Sequence, residues 1–161
     1  MNRPSEIRSS PPWLEIALHE EAMGIRESGA NSRILEYLST CSDLTADELG
    51  TDATAWCAAF ANWCMLEVGL PGTGSSWARD WFNWGLEEPN PTLGTIVVWK
   101  RSASESGEGP YGHVSFLLED LGEELLVLGG NQSNQVGRQR YPRRGALRGD
   151  FYSDVAFRRP G

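Results

Sequence analysis

Cysteine and histidine are both scarce: three and two residues respectively in 161. Cys41, Cys57 and Cys64 are too few and too irregularly spaced for a disulfide framework. Cys57 and Cys64 lack the short separation of a zinc-ligand pair, and His19 and His113 are the whole imidazole supply, so no metal or other cofactor is expected. The chain has no apolar run of about 18 residues, so no membrane insertion is expected. Residues Met1 to Pro12 carry Arg3 and Arg8 but no apolar stretch between them. The reading is therefore of a protein made in the cytoplasm without a Sec signal peptide. No internal repeat is present. Positive charge is also short, with 14 Lys and Arg against 22 Asp and Glu, a net −8. That balance argues against nucleic acid as the main partner, because phosphate contacts need a basic surface.

What is present points to one packed domain. Hydrophobic residues make up 40% and tryptophan occurs seven times, which suits a single core burying roughly two thirds of the unfolded surface. Pro4, Pro11 and Pro12 among serines predict a flexible lead-in over residues 1–12, followed by one domain over 13–161. The first half is helical in pattern. Trp13, Leu14, Ala17, Leu18 and Ala22 share a face that ends near Gly24, and Asn31 caps a second helix through Ile34, Leu35, Tyr37 and Leu38. Residues 41–53 read as a polar loop, and Trp77, Trp81 and Trp84 as a stripe on a short helix. Such a stripe is usually core, with a stacking surface as the sharper alternative. From Thr95 the period changes to two. Strands are predicted over 95–99, over 113–118 and 125–128 as a hairpin with a turn at 120–123, and near 136–141 and 154–158. Helices followed by strands give an α+β fold, helices packed on an antiparallel sheet.

The chain is organised around Thr54-Ala55-Trp56-Cys57-Ala58-Ala59-Phe60-Ala61-Asn62-Trp63-Cys64, the start of a buried helix. Asp52 or Thr54 is expected to cap it. A thiol in its first turn meets the positive end of the helix dipole, which favours the thiolate. A cysteine on an alanine-rich helix is more often a small core hydrophobe, and Cys64 fits that role. His113 opens a strand after Gly112, and hairpin pairing brings it beside Asn131, which follows Gly129 and Gly130. An amide oxygen there can fix the imidazole tautomer. Cysteine at a helix start, histidine on a strand and an amide on the next strand form a nucleophile, base and orienter.

The segments Trp56-Cys57-Ala58-Ala59-Phe60, Gly112-His113-Val114 and Gly129-Gly130-Asn131-Gln132 resemble the NlpC/P60 and CHAP superfamily of cysteine peptidoglycan hydrolases, especially small single-domain phage, prophage and bacterial members. The likeness runs from about Trp13 to Pro160 and includes Gly94-Thr95-Ile96-Val97, where the family usually has Gly-Asp; that departure is expected to touch the strand's start and not the chemistry. The resemblance implies a papain-like core, Cys57 as nucleophile, His113 as base and Asn131 as orienter, with Trp56 and Gln132 as substrate-binding residues. It implies cleavage of a peptidoglycan amide, either in the stem peptide or between muramic acid and L-alanine. It also implies action at the wall or periplasm after release or non-Sec export, as a monomer, with an immunity protein, holin or secretion system as the kind of partner. The arginines Arg138, Arg140, Arg143, Arg144 and Arg148 are candidates to meet stem-peptide carboxylates. Two alternatives remain open: a thiol amidase or transferase on another substrate, and an inactive wall-binding module.

Overall fold

The structure, a computed structural model, describes residues 10–161. Helices come first: α1 (Pro12–Ala22), α2 (Ser32–Leu38), α3 (Ala46–Leu49), α4 (Cys57–Glu67) and a 3₁₀ helix (Ala78–Asn83). Strands follow: β1 (Leu86–Glu87), β2 (Ile96–Ser102), β3 (Gly112–Asp120), β4 (Glu124–Gln132), β5 (Gln135–Pro142), β6 (Gly145–Leu147) and β7 (Asp150–Arg159). The α+β reading holds. Most of the expected lead-in, residues 1–9, lies outside the described residues. Pro11 and Pro12 already start α1: Pro11 is its cap, with a carbonyl that accepts the amides of Leu14 and Glu15, and Pro12 occupies the first helical position that proline favours.

The helix caps differ in part from expectation. Asn31 caps α2, its side-chain oxygen accepting from the amides of Arg33 and Ile34. Neither Asp52 nor Thr54 caps α4; the capping position is Trp56, with no side-chain bond. Asp52 is buried and receives the amides of Ser28, Gly29 and Asn31, while Thr54 donates its hydroxyl to the Glu48 carbonyl. Both residues therefore hold the preceding loops. α3 interrupts the segment read as a loop, and its signal is a capping box in which Thr45 and Glu48 satisfy each other's backbone amides.

The antiparallel sheet runs β1-β7-β2-β3-β4-β5, with β6 on β7. The β3–β4 hairpin closes with Leu121 N–H donating to the Glu124 carbonyl, as the turn at 120–123 predicts. Thr95, in place of the usual aspartate, accepts the Thr92 amide on its hydroxyl and so shapes the turn into β2.

Alternation along the strands divides the apolar side chains between two cores. Ile96, Val98, Val114, Phe116 and Leu128 face α1, α2 and α4, and α4 is buried on nearly every side. Val97, Trp99, Leu117, Leu125, Val127, Tyr141 and Tyr152 fill the opposite face. The sheet curls over that second core: β6, paired at one edge, touches β5 at the other, and Trp99 Nε1 donates across to the Pro142 carbonyl at 3.1 Å.

Candidate active site

Cys57 is the first residue of α4, where the first-turn amides have no intrahelical acceptor. The thiol lies half-buried against the β3 backbone at Val114, the residue after His113. Burial pushes its pKa up. Hydrogen bonding from the backbone of Val114, the Arg101 charge, and the amides of Ala58 and Cys57 itself oppose that rise without cancelling it. The helix start was expected to favour the thiolate; here desolvation outweighs the helix dipole and its N–H groups, so the net shift is upward. Cys41 and Cys64 are buried free thiols in the core, as expected of Cys64.

His113 is the second residue of β3 and only 6% exposed. Its ring stacks on Tyr141 at 4.6 Å between centroids and lies 6.0 Å from Trp99, its cross-strand partner. Burial lowers its pKa to about 4, against a raising contribution from its bond to Gln132; the Arg101 charge adds to the lowering.

The imidazole tautomer follows from the bonds behind it. Gln132 Nε2 donates to the carbonyls of Gly137 (2.6 Å) and Val127 (3.3 Å), which can only accept, so Oε1 must face the ring. His113 Nε2 lies 2.9 Å from that oxygen and 2.8 Å from Ser115 Oγ, and the Ser115 hydroxyl donates to the same Oε1 at 2.5 Å. Consistent donor and acceptor roles put the proton on Nε2 and leave Nδ1 as the basic nitrogen.

Asn131 is not that partner. The hairpin register extends from Phe116↔Leu128, which would set His113 opposite Asn131, but the β4–β5 register shifts by one residue between Gly129 and Gln132. Asn131 occupies the left-handed region there, with φ 58°. One extra residue in the strand reverses the side-chain parity, so Gln132 turns toward the imidazole and Asn131 toward the cavity. Gln132 is buried behind His113 and does not line the cavity, which corrects its expected substrate-binding place. Trp56 is corrected likewise. It is 0% exposed, stacks on Tyr37 and bonds through Nε1 to Glu27, because the helix start presses its ring against Gly130.

A cavity of about 370 Å³ opens over this arrangement. Cys57, His113 and Asn131 line it, together with Arg101, Tyr111, Tyr141, Tyr152 and Trp77. Trp77 and Tyr111 are exposed, with ring centroids 6.3 Å apart. None of the five C-terminal arginines proposed for carboxylates lines the cavity. Arg138 pairs with Glu21, Arg143 with Asp120 and Arg144 with Glu105, while Arg148 donates to Ser133. Ser115, Gln132 in its orienting position and Arg101 are what sequence reasoning missed. Two successive glycines before an asparagine signal a bulge, and Arg101 shares strand parity with Trp99. Among the described residues no cluster of His, Cys, Asp or Glu could hold a metal ion.

The family model for the CHAP domain matches residues 49–131, a span that contains Cys57, His113 and Asn131 and stops one residue before Gln132. No curated protein and no solved structure matches the chain.

Proposed function

Because the chain belongs to the CHAP domain family, whose members are generally hydrolases of the peptidase or amidase kind, we propose that it cleaves an amide bond of peptidoglycan with Cys57 as nucleophile, His113 as general base and Gln132 as the positioning residue. The observation that carries this reading is the imidazole itself. It is buried, neutral at physiological pH and locked from behind in one tautomer, and its basic Nδ1 remains for a cavity that also contains the thiol.

The chemistry follows in two halves. Nδ1 takes the Cys57 proton as sulfur bonds to the substrate carbonyl carbon, and the oxygen becomes an oxyanion facing the first-turn amides of α4. The imidazolium then gives its proton to the departing amine as the C–N bond breaks. Water, deprotonated by Nδ1, releases the acyl group and restores the thiol. General base assistance of this kind is typically worth roughly 10²–10⁴-fold. The exposed Trp77 and Tyr111 rings at the rim give a sugar or peptide a flat apolar surface. The protein reaches the wall or periplasm after release or non-Sec export and works as a monomer.

Incubation of purified sacculi with wild type and with Cys57→Ala, followed by mass spectrometry of the released muropeptides, tests the reading and assigns the bond. Wild type should release fragments with one new amine terminus type, and the variant none. Release by neither protein, or equally by both, overturns it.

A further inference from the structure

None of the five C-terminal arginines lines the cavity, yet one arginine does. Arg101 projects from β2 on the same face as Trp99, whose cross-strand partner is His113. Its guanidinium lies over the Tyr111 ring, 5.4 Å from the ring centroid, and both residues line the cavity. Tyr111 is itself held by Arg79, whose Nε donates to its carbonyl and whose Nη2 donates to that of Gly107. Arg101 also reaches Asp150, Nη1 to Oδ2 at 3.3 Å, and both side chains are about a third or more open to solvent. Among the described residues no other side-chain acceptor is bonded to its guanidinium, although the group carries five N–H donors. The charge acts at the reacting groups, since it lowers the pKa of both Cys57 and His113.

We propose that Arg101 is a specificity-determining residue that binds a free carboxylate of the peptide substrate close to the amide attacked by Cys57; this assignment rests on the peptidoglycan reading above. The planar fork suits a carboxylate, and among the described residues only Asp150 engages its N–H donors through a side chain. The Asp150 pair is too exposed and long to hold the guanidinium exclusively. Stem peptides contain carboxylates that occur either free or as carboxamides, and the carboxamide offers one neutral acceptor where the free form offers two charged ones. Arg101 therefore distinguishes the two forms of the same peptide.

The test measures binding and turnover separately. The full-length Cys57→Ala protein is titrated with a disaccharide stem peptide carrying free α-carboxylates and with the same molecule carrying those groups as carboxamides. The free form is expected to bind roughly tenfold more tightly, as a partly solvated charge-assisted pair allows. Arg101→Gln in that background should erase the preference, Arg101→Lys should keep part of it, and Asp150→Asn should preserve or enlarge it. Thermal melts of each protein establish folding, and Asp150→Asn keeps the proposal testable if Arg101→Gln does not fold. Equal binding of the two forms, or a preference that survives in Arg101→Gln, overturns the assignment, as does a preference lost in folded Asp150→Asn. In the Cys57-containing protein, an electrostatic effect on the thiol alone would make Arg101→Gln change turnover of both peptides equally, with no preference in binding. Failure of wild type to release anything from sacculi, with the binding preference intact, overturns hydrolysis and leaves the carboxylate assignment standing.

Discussion

At the level of single residues, the imidazole and thiol are both neutral before substrate arrives, each for the same reason: burial disfavours the charged form. In the proposed mechanism, proton transfer is then coupled to attack. His113 should stay competent as a base below the usual histidine value of 6.5, so the acid limb of kcat/KM should lie nearer pH 4. Stability carries the same sign. Above pH 6.5 neither state holds the proton; below it the unfolded chain binds one that the buried ring refuses until about pH 4, so His113's contribution is lost as pH falls through that window. Urea titrations between those limits on wild type and His113→Phe would measure it. Alkylation of Cys57 by iodoacetamide should climb steadily from about pH 7 to about pH 9, as for a neutral thiol. A rate already level in acid would instead mean a standing thiolate–imidazolium pair. Gln132→Leu should reduce kcat by roughly 10²-fold, since it frees the tautomer and removes the bond that supports the protonated ring. Its acid limb should move lower still, a shift that a merely structural role would not produce. Asn131→Ala should cost far less and leave that limb in place.

At the level of elements, the site depends on how closely β4 approaches α4. A Cβ at Gly130 would lie 2.6 Å from Phe60 Cβ and 2.9 Å from the Trp56 ring, both fixed by the core. Gly130→Ala should therefore destabilise the fold by about 1–3 kcal/mol in denaturant titrations. At Gly129 the added carbon would strike Ser115 Oγ at 2.5 Å and Gln132 Oε1 at 3.0 Å. That substitution should lower kcat more than it lowers the melting temperature, because it pushes on the groups behind His113. These contacts also show what could be read from the chain. The β3–β4 hairpin was legible, since a period of two with a Gly-containing turn specifies strands and their partner. The helix start at Cys57 was legible as well. The bulge at Asn131 left no mark on the hydrophobic pattern, because a one-residue shift keeps that pattern intact while exchanging the roles of neighbouring polar side chains; its one sign was the Gly129-Gly130 pair. The split of the tryptophan stripe was not legible. At 3₁₀ winding, three residues per turn, Trp81 and Trp84 stay together, with centroids 4.9 Å apart, while Trp77 fans away to the cavity rim.

Across the whole molecule, the uneven charge has a structural explanation before it has a functional one. Residues 1–80 hold five arginines against twelve carboxylates, and residues 130–161 hold seven arginines against two. The fold brings these segments together where Glu21 of α1 meets Arg138 of β5 through two hydrogen bonds, and Asp120 at the hairpin turn, between them in sequence, meets Arg143. Arg158 donates to the carbonyls of Trp84 and Gly85, joining β7 to the end of the 3₁₀ helix. Arginines engaged in this way are partners of the protein's own surface, and exposed pairs of this kind typically contribute about 0–1 kcal/mol each. On the proposed reading, substrate recognition then falls to the cavity, where Arg101 is the one lining arginine among the described residues. The consequence is a contrast between two faces of one molecule. The triple variant Arg138→Gln, Arg143→Gln, Arg144→Gln should lower the melting temperature by a few degrees, less at high salt, since added ions already screen these pairs. Its kcat/KM on sacculi should remain within about twofold of wild type, the small change expected when only surface pairs away from the reacting groups are lost. A loss of about tenfold or more, equal to removing one charge-assisted contact to substrate, would place the bound polymer over the C-terminal strands rather than in the cleft.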